Sequence, residues 1–206
     1  TQAVEASVFK AGYPLDAAAS LLIEVDGFEV SIEDTTAAII RICERNDSYE
    51  IQVAQDEEQR ARLWLGRKGA FGAMGRISPD MIVMDAVIPR TRLPEVLTRI
   101  DEISEQFDLK VANVFHAGDG NLHPNICYDR RDANEVRRVL EAGSLILRSC
   151  VEAGGSLTGE HGVGLELREV VAHRRRGARV VQPDQLGRAV RCGQQLRRQA
   201  SPRAGR

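Results

Sequence analysis

Two histidines, His116 and His123, flank the dipeptide Asp119-Gly120 in the segment HAGDGNLHPN. Asp-Gly is strongly favoured in two-residue hairpin turns, and a turn centred on it sets His116 directly opposite His123, with Cβ atoms about 4.5–5.5 Å apart. Two imidazoles at that spacing converge on one divalent ion, and Asn125, two residues beyond His123, projects from the same face. Such a site still needs a carboxylate. The competing reading is a histidine pair that fills a half-buried sheet or caps the hairpin, and a four-residue turn would alter the pairing. With only four histidines in the chain, two facing each other across a turn favour the metal.

A second segment, GGSLTGEHGVG at residues 154–164, places Glu160 beside His161 in a glycine-rich loop. Glycines let backbone approach a ligand closely, and an adjacent acid and imidazole supply a metal ligand and a general base. The bland alternative is a flexible connection with a chance Glu-His pair. The loop has no Walker lysine, which argues against nucleotide phosphate. A third segment, RLWLGRKGAFGAMGR, gathers Arg67, Lys68 and Arg76 among glycines. A guanidinium fork suits a carboxylate, although a charge cluster taken alone reads as a solvated helix face.

Secondary structure must bring these segments together. LLIEVDGF (residues 21–28) and YEIQVA (49–54) read as strands, with a helix between them that Ser31 or Asp34 could cap. A helix runs from Asp56 toward Met74, weakened by Gly66, Gly69, Gly72 and Gly75, each costing about 1 kcal/mol in a helix interior. MIVMDAVIP (81–89) reads as a strand. RLPEVLTRIDEISEQF follows as a helix with Pro94 in its first turn and Leu93, Val96, Leu97, Ile100 and Ile103 inward. LKVANVF and NLHPNICY are the hairpin strands, and residues 132–153 form a long amphipathic helix ending at Gly154-Gly155. The alternation predicts an α+β fold, a split βαβ (ferredoxin-like) sheet with helices packed on one face.

The 206 residues suit a single domain, and 43% apolar with 28% charged is a globular composition. No run approaches the roughly 20 apolar residues of a membrane span. The formal charge of -2 conceals a break: residues 168–206 carry 11 Arg against Glu169 and Asp184, a net of +9, leaving -11 on the remainder. That stretch also lacks Lys, Ile, Met, Phe, Tyr and Trp. It reads as an aberrant, frameshifted end, expected to be disordered, at 167–206. A basic tail for nucleic acid is the rival, disfavoured because no aromatic residue is there to stack on bases. Cys43, Cys127, Cys150 and Cys192 show no CxxC spacing, as expected of free thiols in the cytoplasm. The start at Thr1 suggests a piece of a longer protein.

Four stretches in order, AGYPLDAAASLLIEVDG, LWLGRKGAFGAMGRISPDMIVMDAVIPRTRLPEVL, VANVFHAGDGNLHPN and GGSLTGEHGVGLE, resemble the C-terminal domain of FAD-linked oxidases. Specifically, they resemble the FAD subunit of glycolate oxidase and its D-2-hydroxyacid and D-lactate dehydrogenase relatives. The resemblance implies a substrate and metal domain over residues 1–166, truncated at its start. It further implies His116, His123 and Glu160 as metal ligands, His161 as catalytic base near the flavin, and Arg67 and Asn125 as contacts to the substrate.

The implied reaction oxidises a small 2-hydroxyacid, glycolate or D-lactate, to the 2-oxoacid. Its cofactors are FAD, held mainly by a separate N-terminal domain, and a divalent ion: zinc, manganese or iron. Glycolate oxidase partner subunits are implied as well, and the chain alone is expected to be inactive. The competing functions are a non-catalytic module for a metal or small acid, and a non-functional gene fragment. Two departures stand out: no glycine-rich flavin-binding segment precedes residue 20, and Leu167 replaces a lysine common in relatives.

Overall fold

In the computed structural model, residues 1–162 are described. The segment 167–206, with Cys192 and the expected disordered tail, lies outside them. Five helices and five strands occur in the order α1 (Gln2–Glu5), α2 (Glu29–Arg45), α3 (Glu57–Met74), β1 (Asp80–Val83), β2 (Ala86–Val87), α4 (Leu93–Gln106), β3 (Lys110–Asn113), β4 (Asn121–Leu122), β5 (Pro124–Tyr128) and α5 (Ala133–Glu152). A short 3₁₀ turn, Arg90–Arg92, leads into α4.

The expected α+β class and split βαβ unit are present. The main sheet has the order β1-β5-β3, with β5 antiparallel to both neighbours. Strands β1 and β3 therefore run parallel, joined through α4, with β5 inserted between them. Helices α4 and α5 pack on each other and on this sheet. Their apolar stripes, Val96, Ile100 and Ile103 from α4 and Val139, Ile146 and Leu147 from α5, are fully or almost fully buried, as is Ile126 of β5. Side chains alternate across a strand, so Ile126 faces the helices while Asn125 and Cys127 face the other way. On that second face Val114 packs against the cluster of Val4, Ala70 and Ala73 from α1 and α3.

Local sequence explains the helix ends. Asp56 caps α3 by accepting from the Gln59 N–H at 2.8 Å, and Asp132 caps α5 by accepting from Asn134 and Glu135. The glycines of α3 serve contact rather than propensity: a Cβ on Gly66 would lie 2.7 Å from Ala11 and Tyr13, and one on Gly69 would overlap the Phe9 ring. Gly69→Ala should therefore destabilise the chain. The helix-propensity gain of about 1 kcal/mol is outweighed by an overpacking cost of about 1–3 kcal/mol. A lowered urea midpoint checks this; a raised one would mean that Phe9 moves aside freely.

Several local expectations are corrected. Residues 21–28 and 49–54 form no strand: neither segment has a ladder partner among the described residues, and β-propensity stabilises only within a sheet. Helix α2 begins at Glu29, with Phe28 at its N-cap and no side-chain cap, so neither Ser31 nor Asp34 performs that role. It contains no buried residue, and Phe28, Val30 and Tyr49 around it are strongly exposed. The run 81–89 is two strands broken at Met84-Asp85, and its partner run breaks at His123 between β4 and β5. The shorter sheet pairs β2 with β4.

The hairpin register also differs. Lys110 pairs with Cys127 and Val111 with Ile126, which continues to an isolated bridge between His116 and Asn121. The loop is four residues, 117–120, not the two-residue Asp119-Gly120 turn. Asp119 and Gly120 are drawn into it by N–H donation to the carbonyls of His116 and Ala117, and Gly120 takes φ +71°. That left-handed conformation favours glycine, and here a Cβ would also strike the Ile88 carbonyl. His116 thus faces Asn121 instead of His123.

Burial pushes the Cys150 thiol up to about 12 and raises that of Cys127, so both are inert core residues. Cys43 is only partly buried. Among the described residues no helix is long and apolar enough to cross a membrane.

Candidate metal centre

The register shift is by two residues, and an even shift preserves the face on which a side chain points. His116 and His123 are consequently diagonal neighbours on one face, with ring centroids 5.7 Å apart and planes at 85°. The loop after α5 delivers the third group. Ser156 pairs with Val87 in an isolated bridge, which turns residues 158–162 back over the break between β1 and β2. Glu160 Oε2 then lies 3.8 Å from His123 Nε2, and also 3.8 Å from His161 Nε2.

One ligand atom each from His116, His123 and Glu160 fall within 4.8 Å of one another. Two ligands at about 2.1 Å from one ion are at most about 4.2 Å apart, so the set closes on an ion with a small inward rotation. His116 and Glu160 are both exposed and free to make it; the Glu160 side chain is 54% accessible. His123 is fixed, at 3% exposure, with Nδ1 3.3 Å from the Met84 carbonyl. A carbonyl can only accept, so that contact places the proton on Nδ1 and leaves the Nε2 lone pair pointing toward Glu160. The donor set and the tautomer both fit a divalent cation.

His161 stands beside this group, its ring 5.3 Å from that of His123 and its side chain about half exposed. Asn125 is completely buried on the same face. Its amide nitrogen donates to the carbonyls of Ala112 at 2.9 Å and His123 at 2.7 Å, which fixes the amide orientation and leaves only Oδ1 uncommitted. Asn125 therefore holds β3 to β5 and supports the His123 backbone, with its Oδ1 buried and unpartnered. Among the described residues no hydrogen bond or ion pair joins Arg67 to the histidines. It lies on α3 one turn before Ala70, whose face meets Val114, itself two residues before His116.

Asp85 was not among the residues that type and spacing pointed to. This residue is 5% exposed, and its Oδ2 accepts from the Thr158 hydroxyl and from the N–H groups of Gly159, Glu160 and His161, at 2.7–2.9 Å. Burial alone would raise its pKa; the N–H donors of His161, Glu160 and Gly159, with the Thr158 hydroxyl, prevail and hold it below the ordinary aspartate value. A charged residue interrupting the apolar run MIVMDAVIP was the available signal.

A split βαβ domain with two histidines and a carboxylate converging at one end of its sheet is the class that fold and site define. The chain belongs to the family described as FAD linked oxidases, C-terminal domain, which matches residues 1–180. It is 51% identical over 156 residues to the glycolate oxidase subunit GlcD of Escherichia coli K12, covering 76% of this chain and 31% of that protein. It is 39% identical over 155 residues to the GlcD subunit of Bacillus subtilis, covering 75% and 33%. A probable mitochondrial D-lactate dehydrogenase of Danio rerio is 33% identical over 156 residues, covering 74% and 31%. The chain thus spans about a third of the length of these relatives.

Proposed function

We propose that this chain is the substrate- and metal-binding domain of an FAD-dependent 2-hydroxyacid oxidoreductase, of the glycolate oxidase kind. The convergence of His116, His123 and Glu160 beside His161 carries this reading. The names of the relatives, glycolate oxidase subunit and D-lactate dehydrogenase, support a small 2-hydroxyacid as substrate and further subunits as partners.

When bound, a divalent ion supplies Lewis acidity to the α-hydroxyl and the flavin supplies the electron-pair sink. The chain's own residues do the rest. Arg67 binds the substrate carboxylate with its planar fork. His161 accepts the hydroxyl proton, the half-exposed imidazole lying beside the proposed ligands without being one of them. The family resemblance assigns Asn125 a contact to the bound acid; in this chain its amide nitrogen keeps the His123 strand in place and its Oδ1 is closed off from the surface. The buried His123 ring closes the floor of the site to water.

Metal analysis of the purified chain and dye-linked oxidation by the whole flavoprotein containing it test the proposal. Stoichiometric divalent metal on the chain, with glycolate- or D-lactate-dependent dye reduction by the whole protein, is the expected result. Metal binding with no reduction by any 2-hydroxyacid would overturn the enzymatic reading in favour of a binding module.

A further inference from the structure

We infer that Asp85 is the positioning residue that sets the Glu160–His161 pair against His123; its functional consequence rests on the metal reading above. The Glu160 carboxylate makes no hydrogen bond among the described residues, only the two 3.8 Å approaches to His123 and His161. Its place is therefore decided by the backbone, and that backbone is wound on a single oxygen. Asp85 Oδ2 gathers three consecutive N–H groups, from Gly159, Glu160 and His161, together with the Thr158 hydroxyl. Thr158 Oγ1 accepts in turn from the Gly162 N–H at 2.8 Å, so five consecutive residues depend on one carboxylate.

Hydrogen bonds to an ionised acceptor are about twice as strong as neutral ones, and this acceptor is almost wholly shielded from water. The other oxygen, Oδ1, is buried without a hydrogen-bond partner and lies 3.8 Å from His123 Nδ1. Directly before it in the chain, Met84 presents the carbonyl that orients the His123 ring. The Met84 N–H is itself tied to the Pro124 carbonyl at 3.0 Å. The break in the sheet at Met84-Asp85 thus controls two of the three ligands, one through each residue. Asp85 is not placed as a ligand: its Oδ2 is taken up by donors, and its Oδ1 faces His123 Nδ1, the ring nitrogen turned away from Glu160.

The test is Asp85→Asn in the 206-residue chain, read by calorimetric titration with Zn²⁺ and by amide hydrogen exchange. The variant keeps the shape of the side chain and removes its charge. Zn²⁺ affinity is expected to fall about 10- to 100-fold, the usual effect of losing an outer-sphere partner. Exchange at Gly159, Glu160 and His161 should accelerate at least about tenfold while α4 and α5 remain protected. Unchanged protection at those three amides would overturn the assignment. So would faster exchange throughout α4 and α5 with Zn²⁺ affinity retained, which marks a merely structural role. If the parent chain binds no Zn²⁺, the metal reading falls, and the exchange data still decide the role of Asp85. Should Asp85→Asn not fold, Thr158→Val removes one donor and the Gly162 acceptor without touching the charge. Accelerated exchange at Gly159–Gly162 supports the anchor, and unaltered exchange refutes it.

Discussion

His161→Asn should cost the whole flavoprotein about 10²- to 10⁴-fold in kcat, the range attributed to a positioned general base, with little change in KM. Asparagine cannot accept the proton, yet it preserves everything the loop requires of this position. The bond from residue 161 to Asp85 comes from the main-chain N–H, which the substitution leaves alone. Glu160 consequently stays where it is, and the metal content should remain that of the parent. Dye-linked kinetics beside elemental analysis separates the two effects. Equal kcat in the variant would remove His161 from the reaction, and loss of metal would make it a ligand.

The second large effect is a dissociation between the two hairpin histidines. His123→Ala and His116→Ala should both abolish tight divalent-metal binding, because each removes one of three ligands. Only the first should strongly destabilise the domain. His123 is buried, and truncating it opens a cavity and leaves the Met84 carbonyl without its donor, a combined cost of about 2–5 kcal/mol. His116 is exposed and its strand contact is made by backbone atoms, so its truncation should change stability by no more than about 0.5 kcal/mol. Denaturant unfolding of the metal-free variants measures this. Equal destabilisation would mean that the His116 ring contributes to the core.

Much of the architecture was legible because it depends on periodicity. The stripes of α4 and α5 repeat at helical spacing, and strand-helix-strand-strand-helix from Asp80 onward leaves few arrangements other than a split βαβ sheet. The histidine pair was legible for a subtler reason. The expected register was wrong by two, but sidedness has period two, so both rings remained on the same face. Asp85 was hidden because its partners are backbone N–H groups more than 70 residues away, and backbone donors have no sequence signature. LLIEVDGF and YEIQVA misled because strand propensity describes fitness for a sheet and says nothing about whether a neighbouring strand is available.

Helix α2, with none of its 17 residues buried, has a consequence for handling the protein. An isolated helix of that length is marginal in water, so its local opening requires far less free energy than unfolding the sheet. Brief trypsin treatment should therefore cut after Arg41 and Arg45 well before Arg99 or Arg138, which lie on α4 and α5. Mass spectrometry should then find a long-lived body that begins at Asn46 and retains all the site residues. Brief digestion would thus offer a route to a minimal site-bearing fragment.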